Sequence, residues 1–270
     1  MKRIFLVLAV VISGWVSGWM TACTPEEVDI PERAPEPVAS AVPIRTASVA
    51  ERFPHSERAF TQGLLVHQGR ILESVGQNGQ SALRQVDLAT GKELRRIPLG
   101  TEYFAEGLAV ADGKVFQLTW LNQRCFIYDA QTLNRIDSVP YLGEGWGLAT
   151  DGSVLYMSNG TNMITVRNPA DFQVVRTISV TRNGSAQTNL NELEWVEGRL
   201  WANVWTTDNI VSINPSTGVV EEVIDLSAVY PVADRTPTAD VLNGIAYDST
   251  SGAIYVTGKN WPELYRIEIR

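Results

Sequence analysis

The chain has 270 residues, with 22 Lys and Arg against 30 Asp and Glu, and its formal net charge is −8. An acidic chain without long basic runs binds polyanions poorly, so we expect no nucleic-acid partner. The 2 histidines and 2 cysteines are too few for a Cys-rich zinc site and leave little for a His-ligated metal.

Residues 1–22 are predicted to be an export signal. Lys2-Arg3 is followed by an uncharged run of nineteen residues that ends in small side chains. The run ends in Met20-Thr21-Ala22-Cys23, which is similar to the bacterial lipobox, whose cysteine is lipidated. We therefore predict an exported lipoprotein, anchored at Cys23 and facing the cell envelope or periplasm. A plain signal peptide and an uncleaved anchor are the alternatives.

Residues 23–43 are predicted to be a linker. They hold five prolines and many acidic residues, a composition that cannot build a core and keeps a chain extended. A folded domain is predicted over residues 44–270. Cys125 lies in an apolar run of that domain and has no partner once Cys23 is lipidated, so we expect a buried thiol.

The domain is predicted to be all-β and to contain five repeats. Short alternating runs of Val, Ile, Leu and Tyr are broken by Gly, Asp and Asn, which is typical of strands and hairpin turns. The repeat openings lie 40 to 52 residues apart, at Gly63-Leu64, Gly107-Leu108, Gly147-Leu148, Glu192-Leu193 and Gly244-Ile245. Four strands in about 45 residues is the size of a propeller blade. The sequence therefore predicts a five-bladed β-propeller with four-stranded antiparallel blades.

The last repeat lacks a fourth strand, because the chain ends soon after its third strand at Ile269. The segment from Arg45 to Ala50, before the first repeat, has the pattern of a strand. We predict that this N-terminal strand supplies the missing outer strand and closes the ring, which removes an open sheet edge.

Equivalent positions in the repeats are predicted to form rings at one end of a central channel, because the first strand of each blade lines it. The residues gathered there are Gln62, Glu106, Trp120, Trp146, Asn191, Trp205, Asn243 and Lys259. They predict a pocket with aromatic walls, amides, one carboxylate and one ammonium. Each of them alone has an ordinary structural explanation, and a one-residue slip in register would turn the ring side chains away.

Glu106 is the candidate for acid–base chemistry. Desolvation among aromatic side chains is expected to raise its pKa, and a neighbouring Lys would lower it. Such a carboxyl can act as a general acid or base near neutral pH. No histidine lies in the rings, so a Ser-His-Asp triad is excluded there.

Eight sequence blocks across the repeats resemble the plant and bacterial type of glutaminyl-peptide cyclotransferase, a five-bladed propeller family. The blocks are Phe60-Thr61-Gln62-Gly63-Leu64, Phe104-Ala105-Glu106-Gly107-Leu108, Gln117-Leu118-Thr119-Trp120, Gly143-Glu144-Gly145-Trp146-Gly147-Leu148, Leu190-Asn191-Glu192-Leu193-Glu194-Trp195, Ala202-Asn203-Val204-Trp205, Leu242-Asn243-Gly244-Ile245-Ala246 and Gly258-Lys259-Asn260-Trp261-Pro262. The resemblance covers about residues 46–270.

The resemblance implies conversion of an N-terminal glutamine of a peptide or protein to pyroglutamate, with release of ammonia and without metal or cofactor. It implies Glu106 as the general acid/base. The pocket-lining positions that it implies are Phe60, Gln62, Phe104, Trp120, Trp146, Asn191, Trp205 and Lys259. We assign Gln62 and Asn191 to the substrate amide, Lys259 to charge stabilisation, and the aromatic side chains to shape and water exclusion. We expect a monomer.

Two other functions stay open at this point. A calcium-dependent propeller lactonase would use Glu106, Asn191 and Asn243 as oxygen ligands, although Lys259 and the tryptophans argue against a bare cation site. A non-enzymatic peptide-binding propeller lipoprotein is the second, because propellers host many functions.

Overall fold

A computed structural model describes residues 41–270. The predicted signal, most of the predicted linker and Cys23 lie outside the described residues. The described part belongs to one compact unit and is almost entirely β-structure, with one 3₁₀ turn at Val232–Asp234. Within it, no helix has the length and apolar character needed to cross a membrane.

The strands follow one another closely along the chain. In order they are β1 (Ile44–Pro54), β2 (Thr61–His67), β3 (Arg70–Val75), β4 (Ala82–Val86), β5 (Glu93–Pro98), β6 (Ala105–Ala111), β7 (Lys114–Thr119), β8 (Arg124–Asp129), β9 (Arg135–Pro140), β10 (Leu148–Thr150), β11 (Leu155–Met157), β12 (Met163–Arg167), β13 (Val174–Ser179), β14 (Thr181–Arg182), β15 (Ser185–Ala186), β16 (Leu190–Val196), β17 (Arg199–Val204), β18 (Asn209–Ile213), β19 (Val220–Asp225), β20 (Leu242–Asp248), β21 (Ala253–Gly258) and β22 (Glu263–Ile269).

Groups of four strands form the sheets. β2–β5, β6–β9 and β10–β13 each make a separate antiparallel sheet in sequence order. β16–β19 pair in the same way, but they belong to an eight-stranded sheet whose order continues through β1, β22, β21 and β20. The short hairpin β14–β15 is inserted before β16. The all-β prediction is therefore confirmed.

The N-terminal strand has the pairing that the sequence predicts. β1 runs antiparallel to β22, with Ala47 opposite Ile269 and Val49 opposite Ile267. It therefore supplies the fourth strand of the last group. β1 also pairs in parallel with β19, where Ile44 lies opposite Val223. That second pairing, which we did not anticipate, joins two strand groups into the eight-stranded sheet.

The first strands of the groups contact one another in a closed ring. β2 contacts β6, β6 contacts β10, β10 contacts β16, β16 contacts β20, and β20 contacts β2. Glycine permits this approach, because a Cβ at Gly107 would collide with the backbone nitrogen of Leu148, and one at Gly147 with the backbone oxygen of Asn191. The repeated Gly-Leu openings thus mark the places where neighbouring backbones touch.

Glu192 stands where the other openings have glycine. Its buried carboxyl accepts the backbone N–H of Leu64 at 3.2 Å and that of Ile245 at 2.9 Å. One side chain of β16 thereby bonds both β2 and β20. Burial raises the pKa of Glu192 well above its usual range, and the nearby Glu194 raises it further against these two hydrogen bonds.

The hydrophobic core lies between adjacent sheets. Leu72 and Leu83 of the first sheet, for example, belong to one buried cluster with Leu108 and Tyr128 of the second. Cys125 is buried in the neighbouring cluster, and burial raises the pKa of its thiol. Among residues 41–270 this thiol is free, as predicted.

We expect Gly107→Ala to lower the free energy of unfolding by about 1–3 kcal/mol, because the new methyl group would push β6 away from the backbone of the next sheet. Urea denaturation measures the change. The matched control is Gly100→Ala, whose methyl group would meet only the flexible end of Glu102 and should change little. Equal stability of the two variants would contradict the account of the strand ring.

Candidate active site

A cavity of about 210 Å³ opens where the first strands begin and the second strands end. It is lined by Phe60, Gln62, Phe104, Glu106, Trp120, Trp146, Asn191, Trp205 and Lys259. These nine are the predicted catalytic residue and the eight predicted substrate-binding residues, brought together from all five strand groups and the loops beside them. The structure gathers the residues, while their roles stay predictions.

β-Bulges aim four polar side chains at this end of the strands. The pairing of β2, β6, β16 and β20 with their partner strands shifts register by one residue in each case. Apart from glycines and Glu192, the side chains within the shifted segments are Gln62, Glu106, Asn191 and Asn243. A bulge places two residues opposite one and re-aims their side chains, so simple alternation does not describe these positions.

The carboxyl of Glu106 is buried in the cavity wall, where the residue is only 4% exposed. Burial raises the pKa of Glu106 well above its usual range. The Lys259 ammonium and a hydrogen bond from Gln62 lower this pKa, whereas the charge of Glu144 raises it. Burial is the largest of these effects, so the site favours the protonated form of Glu106 more than water does.

Gln62 and Asn243 form a hydrogen-bonded chain behind Glu106. Asn243 Nδ2 donates to Gln62 Oε1 at 3.0 Å and to the backbone oxygen of Thr61 at 2.9 Å. Gln62 Nε2 in turn donates to Glu106 Oε1 at 3.0 Å. Asn243 thus fixes which end of the Gln62 amide faces Glu106. It is fully buried and does not line the cavity, unlike the other residues of the predicted rings.

The aromatic walls consist of edge-to-face contacts. The ring centroids of Phe60 and Phe104 lie 6.1 Å apart, and those of Phe104 and Trp120 lie 5.8 Å apart. On another part of the wall, Trp146 and Trp205 are 5.4 Å apart at an interplanar angle of 87°. Edge-to-face geometry is the favoured arrangement of such rings, so the walls hold their shape.

Glu144, at the rim of the cavity, accepts hydrogen bonds from two of these tryptophans. Its Oε2 accepts the indole N–H of Trp120 at 2.7 Å and that of Trp146 at 2.9 Å. Glu144 itself is exposed. We did not select Glu144 from the sequence. The prediction that Asn243 faces the pocket is wrong, because its side chain lies behind Gln62. Both residues lie in the blocks that carry the family resemblance. Their contacts depend on side-chain geometry that sequence does not give.

Lys259 and Asn191 supply the remaining polar groups of the cavity. Lys259 Nζ lies 4.8 Å from the ring centroid of Phe60, and burial lowers the pKa of the lysine against the opposing effect of Glu106. Asn191 Oδ1 is buried and has no hydrogen-bond partner among residues 41–270. That oxygen can accept a hydrogen bond from a ligand.

The part of the chain that the structure describes holds no group of three or more His, Cys, Asp or Glu side chains arranged to bind a metal ion. The oxygen ligands considered for calcium are placed differently from one another: Asn191 lines the cavity, whereas Asn243 lies behind Gln62. The polar groups that face the cavity are therefore a carboxyl, an ammonium and amides.

The fold and the cavity together define an all-β protein with one buried acid in an aromatic pocket, and comparisons with known proteins identify the family. The sequence model for "Glutamine cyclotransferase" matches residues 20–269. A glutaminyl-peptide cyclotransferase of Arabidopsis thaliana is 39% identical over 231 residues, which cover 84% of this chain and 72% of that protein. The crystal structure of Myxococcus xanthus glutaminyl cyclase has a TM-score of 0.79 and 38% identity, covering 85% of this chain and 98% of that chain.

The chain belongs to the glutamine cyclotransferase family. The resemblance predicted from the eight sequence blocks is confirmed, and neither of the two alternative functions has comparable support.

We expect removal of the Lys259 charge, in Lys259→Met, to raise the pKa of Glu106 further, because the ammonium now lowers it. Infrared titration of the carboxyl band measures the pKa, with Glu106→Gln assigning the band. Lys114→Met, which removes a lysine at the far end of β7, is the control and should leave the pKa unchanged. An unchanged or lower pKa in Lys259→Met would contradict the described electrostatics.

Proposed function

We propose that this protein is a glutaminyl-peptide cyclotransferase, an acyltransferase that converts the N-terminal glutamine of peptides or proteins to pyroglutamate and releases ammonia. The observation that carries the proposal is the buried Glu106 carboxyl in a cavity of about 210 Å³ with aromatic walls. On this proposal the cavity takes the N-terminal glutamine, and the rest of the peptide continues outside it. Membership of the glutamine cyclotransferase family supports the same activity.

Glu106 is the proposed general acid/base. The uncharged α-amine attacks the side-chain carbonyl carbon of the same glutamine, and a C–N bond closes the five-membered ring. Glu106 takes a proton from the attacking nitrogen and delivers one to the amide nitrogen, whose C–N bond then breaks to release ammonia. One carboxyl suffices, since both nitrogens are on the same carbon of the tetrahedral intermediate. Its raised pKa suits both directions of transfer.

Gln62 is proposed to position Glu106 rather than to bind the substrate amide, which differs from our assignment from the sequence. Both ends of its amide are already used, by Glu106 and by Asn243. The hydrogen bond occupies Glu106 Oε1, so Oε2 is the oxygen that exchanges protons with the substrate. Asn191 keeps its proposed contact with the substrate amide, because its Oδ1 is buried and unpaired within residues 41–270.

Lys259 and the aromatic side chains complete the proposed mechanism. The Lys259 ammonium stabilises negative charge that develops on the attacked carbonyl oxygen, an effect that is strong where water is excluded. The aromatic walls hold the glutamine side chain curled toward its own amine. Because the side chain is already held in the reactive geometry when it binds, the chemical step no longer carries the entropy loss that ring closure has in solution.

We propose that the domain is a five-bladed β-propeller. The four-stranded groups, the completion of the last group by β1 and the closed ring of first strands support this architecture. In a propeller the first strands line a central channel, which accounts for a cavity made of residues from every side of the ring.

We further propose that the protein is exported and anchored to a membrane by a lipid on Cys23. The support is the sequence of residues 1–22 and the lipobox-like Met20-Thr21-Ala22-Cys23, all outside the described residues. We propose a monomer, because a single chain supplies all nine residues that line the cavity.

The activity is tested by ammonia release from a short peptide that begins with Gln. A matched peptide that begins with Asn should release none, because its shorter side chain would have to close a four-membered ring. We expect Glu106→Gln to keep the fold and lose about 10²–10⁴-fold of the turnover. Glu102→Gln, which removes an exposed charge from the loop before Phe104, is the matched control. Near-normal turnover by Glu106→Gln would refute the role of Glu106.

Asn243→Leu is expected to lower kcat about tenfold near neutral pH with little change in KM, because the Gln62 amide would no longer be held with its N–H toward Glu106. Gln62 now lowers the pKa of Glu106, so the acidic limb of the kcat profile should move to higher pH. Thermal unfolding checks that the variant folds. A lower kcat with an unmoved acidic limb would show that Asn243 does not act through Glu106.

A further inference from the structure

The rim of the cavity is where a peptide substrate must continue beyond its first residue. On the proposed function the N-terminal glutamine occupies the cavity, and Trp120 and Trp205 on its wall are 36% and 38% exposed. The second residue of a substrate therefore leaves the cavity beside these exposed rings. What that residue meets there depends on the charged side chains that contact them.

Glu144 is the charged side chain fixed at this rim. Its two hydrogen bonds to Trp120 and Trp146 hold the carboxylate against the wall. It is exposed, and within residues 41–270 no Lys, Arg or His forms an ion pair with it. Its negative charge therefore faces an incoming peptide without a paired cation from the described part of the chain.

The cations of the site do not offset this charge at the rim. Lys259 is only 6% exposed and packs over Phe60, so it faces the glutamine in the cavity. The effect of Glu144 also reaches into the cavity, because its charge acts on the Glu106 carboxyl. A charge that acts on the cavity interior also acts on a side chain passing over its mouth.

We propose that Glu144 is a specificity-determining residue, which positions Trp120 and Trp146 and, by its charge, selects peptides whose second residue is basic or neutral over those whose second residue is acidic. The proposal rests on the proposed cyclotransferase activity and names its preferred substrate class. Attraction of Lys or Arg and repulsion of Asp or Glu at this position follow from Coulomb's law in a solvated setting.

The test measures kcat/KM for three peptides, Gln-Lys-Ala, Gln-Ala-Ala and Gln-Glu-Ala, each amidated at its C-terminus. For the wild-type protein we expect kcat/KM to be highest for Gln-Lys-Ala and lowest for Gln-Glu-Ala. The ratio of kcat/KM between these two peptides should be about fivefold and should come from a difference in KM. High salt should reduce that ratio to below about twofold, because exposed charges are screened.

Glu144→Gln removes the charge and keeps an oxygen that accepts both indole N–H groups. We expect it to bring the Lys-to-Glu ratio of kcat/KM close to one. Any effect of the lost charge on Glu106 changes the rate for all three peptides alike and cancels in this ratio. Glu144→Lys should reverse the order of the two charged peptides. Glu268→Gln is the control of equal charge change, since Glu268 is exposed on β22 near the opposite end of the strands.

A wild-type ratio near one, or an unchanged ratio in Glu144→Gln, would overturn the proposal. A shift of the ratio in Glu268→Gln equal to that in Glu144→Gln would also overturn it, because net charge would then explain the selectivity. Failure of the proposed function looks different, since the wild-type protein would then release no ammonia from any of the three peptides.

Discussion

In the ring of first strands the backbones of neighbouring strand groups lie in close contact, and this contact sets where the cavity residues lie. Neighbouring sheets can meet there only if no side chain stands between them, which Gly107 and Gly147 ensure. Where a side chain is present, in Glu192, it accepts backbone N–H groups from β2 and β20 instead of separating the strands. The ring brings residues far apart in sequence within one cavity.

The same constraint explains the chemistry of the site. Because the first strands are tightly packed, their bulged ends present Gln62, Glu106 and Asn191 to one small cavity with aromatic walls. Desolvation then sets the proton affinity of Glu106, and Asn243 and Gln62 orient its carboxyl from behind. Glu144 secures the aromatic wall from outside, so the rim and the interior are linked through Trp120 and Trp146.

Buried carboxyls elsewhere in the fold show that surroundings, not burial alone, decide their charge. Glu73 is fully buried, which by itself raises its pKa, yet His55 and Arg84 beside it lower the pKa to about 2. Glu194, without such a cation, has a pKa of about 8. At Glu106 burial raises the pKa and the Lys259 ammonium lowers it, with burial the larger effect. A nearby cation there opposes the effect of burial without overcoming it.

Periodicity and repeat spacing in the sequence were enough to predict the all-β class and the pairing of the N-terminal strand with β22, because they translate directly into equivalent positions in successive strand groups. The repeats also predicted most of the cavity residues, but they included Asn243 and lacked Phe60 and Phe104, which came from the family resemblance. The additional pairing of β1 with β19, the hydrogen bonds of Asn243 and Glu144, and the use of both ends of the Gln62 amide were decided only by the tertiary structure. Bulges and side-chain rotations of a few ångströms fix those contacts, and neither leaves a periodic signal in the chain.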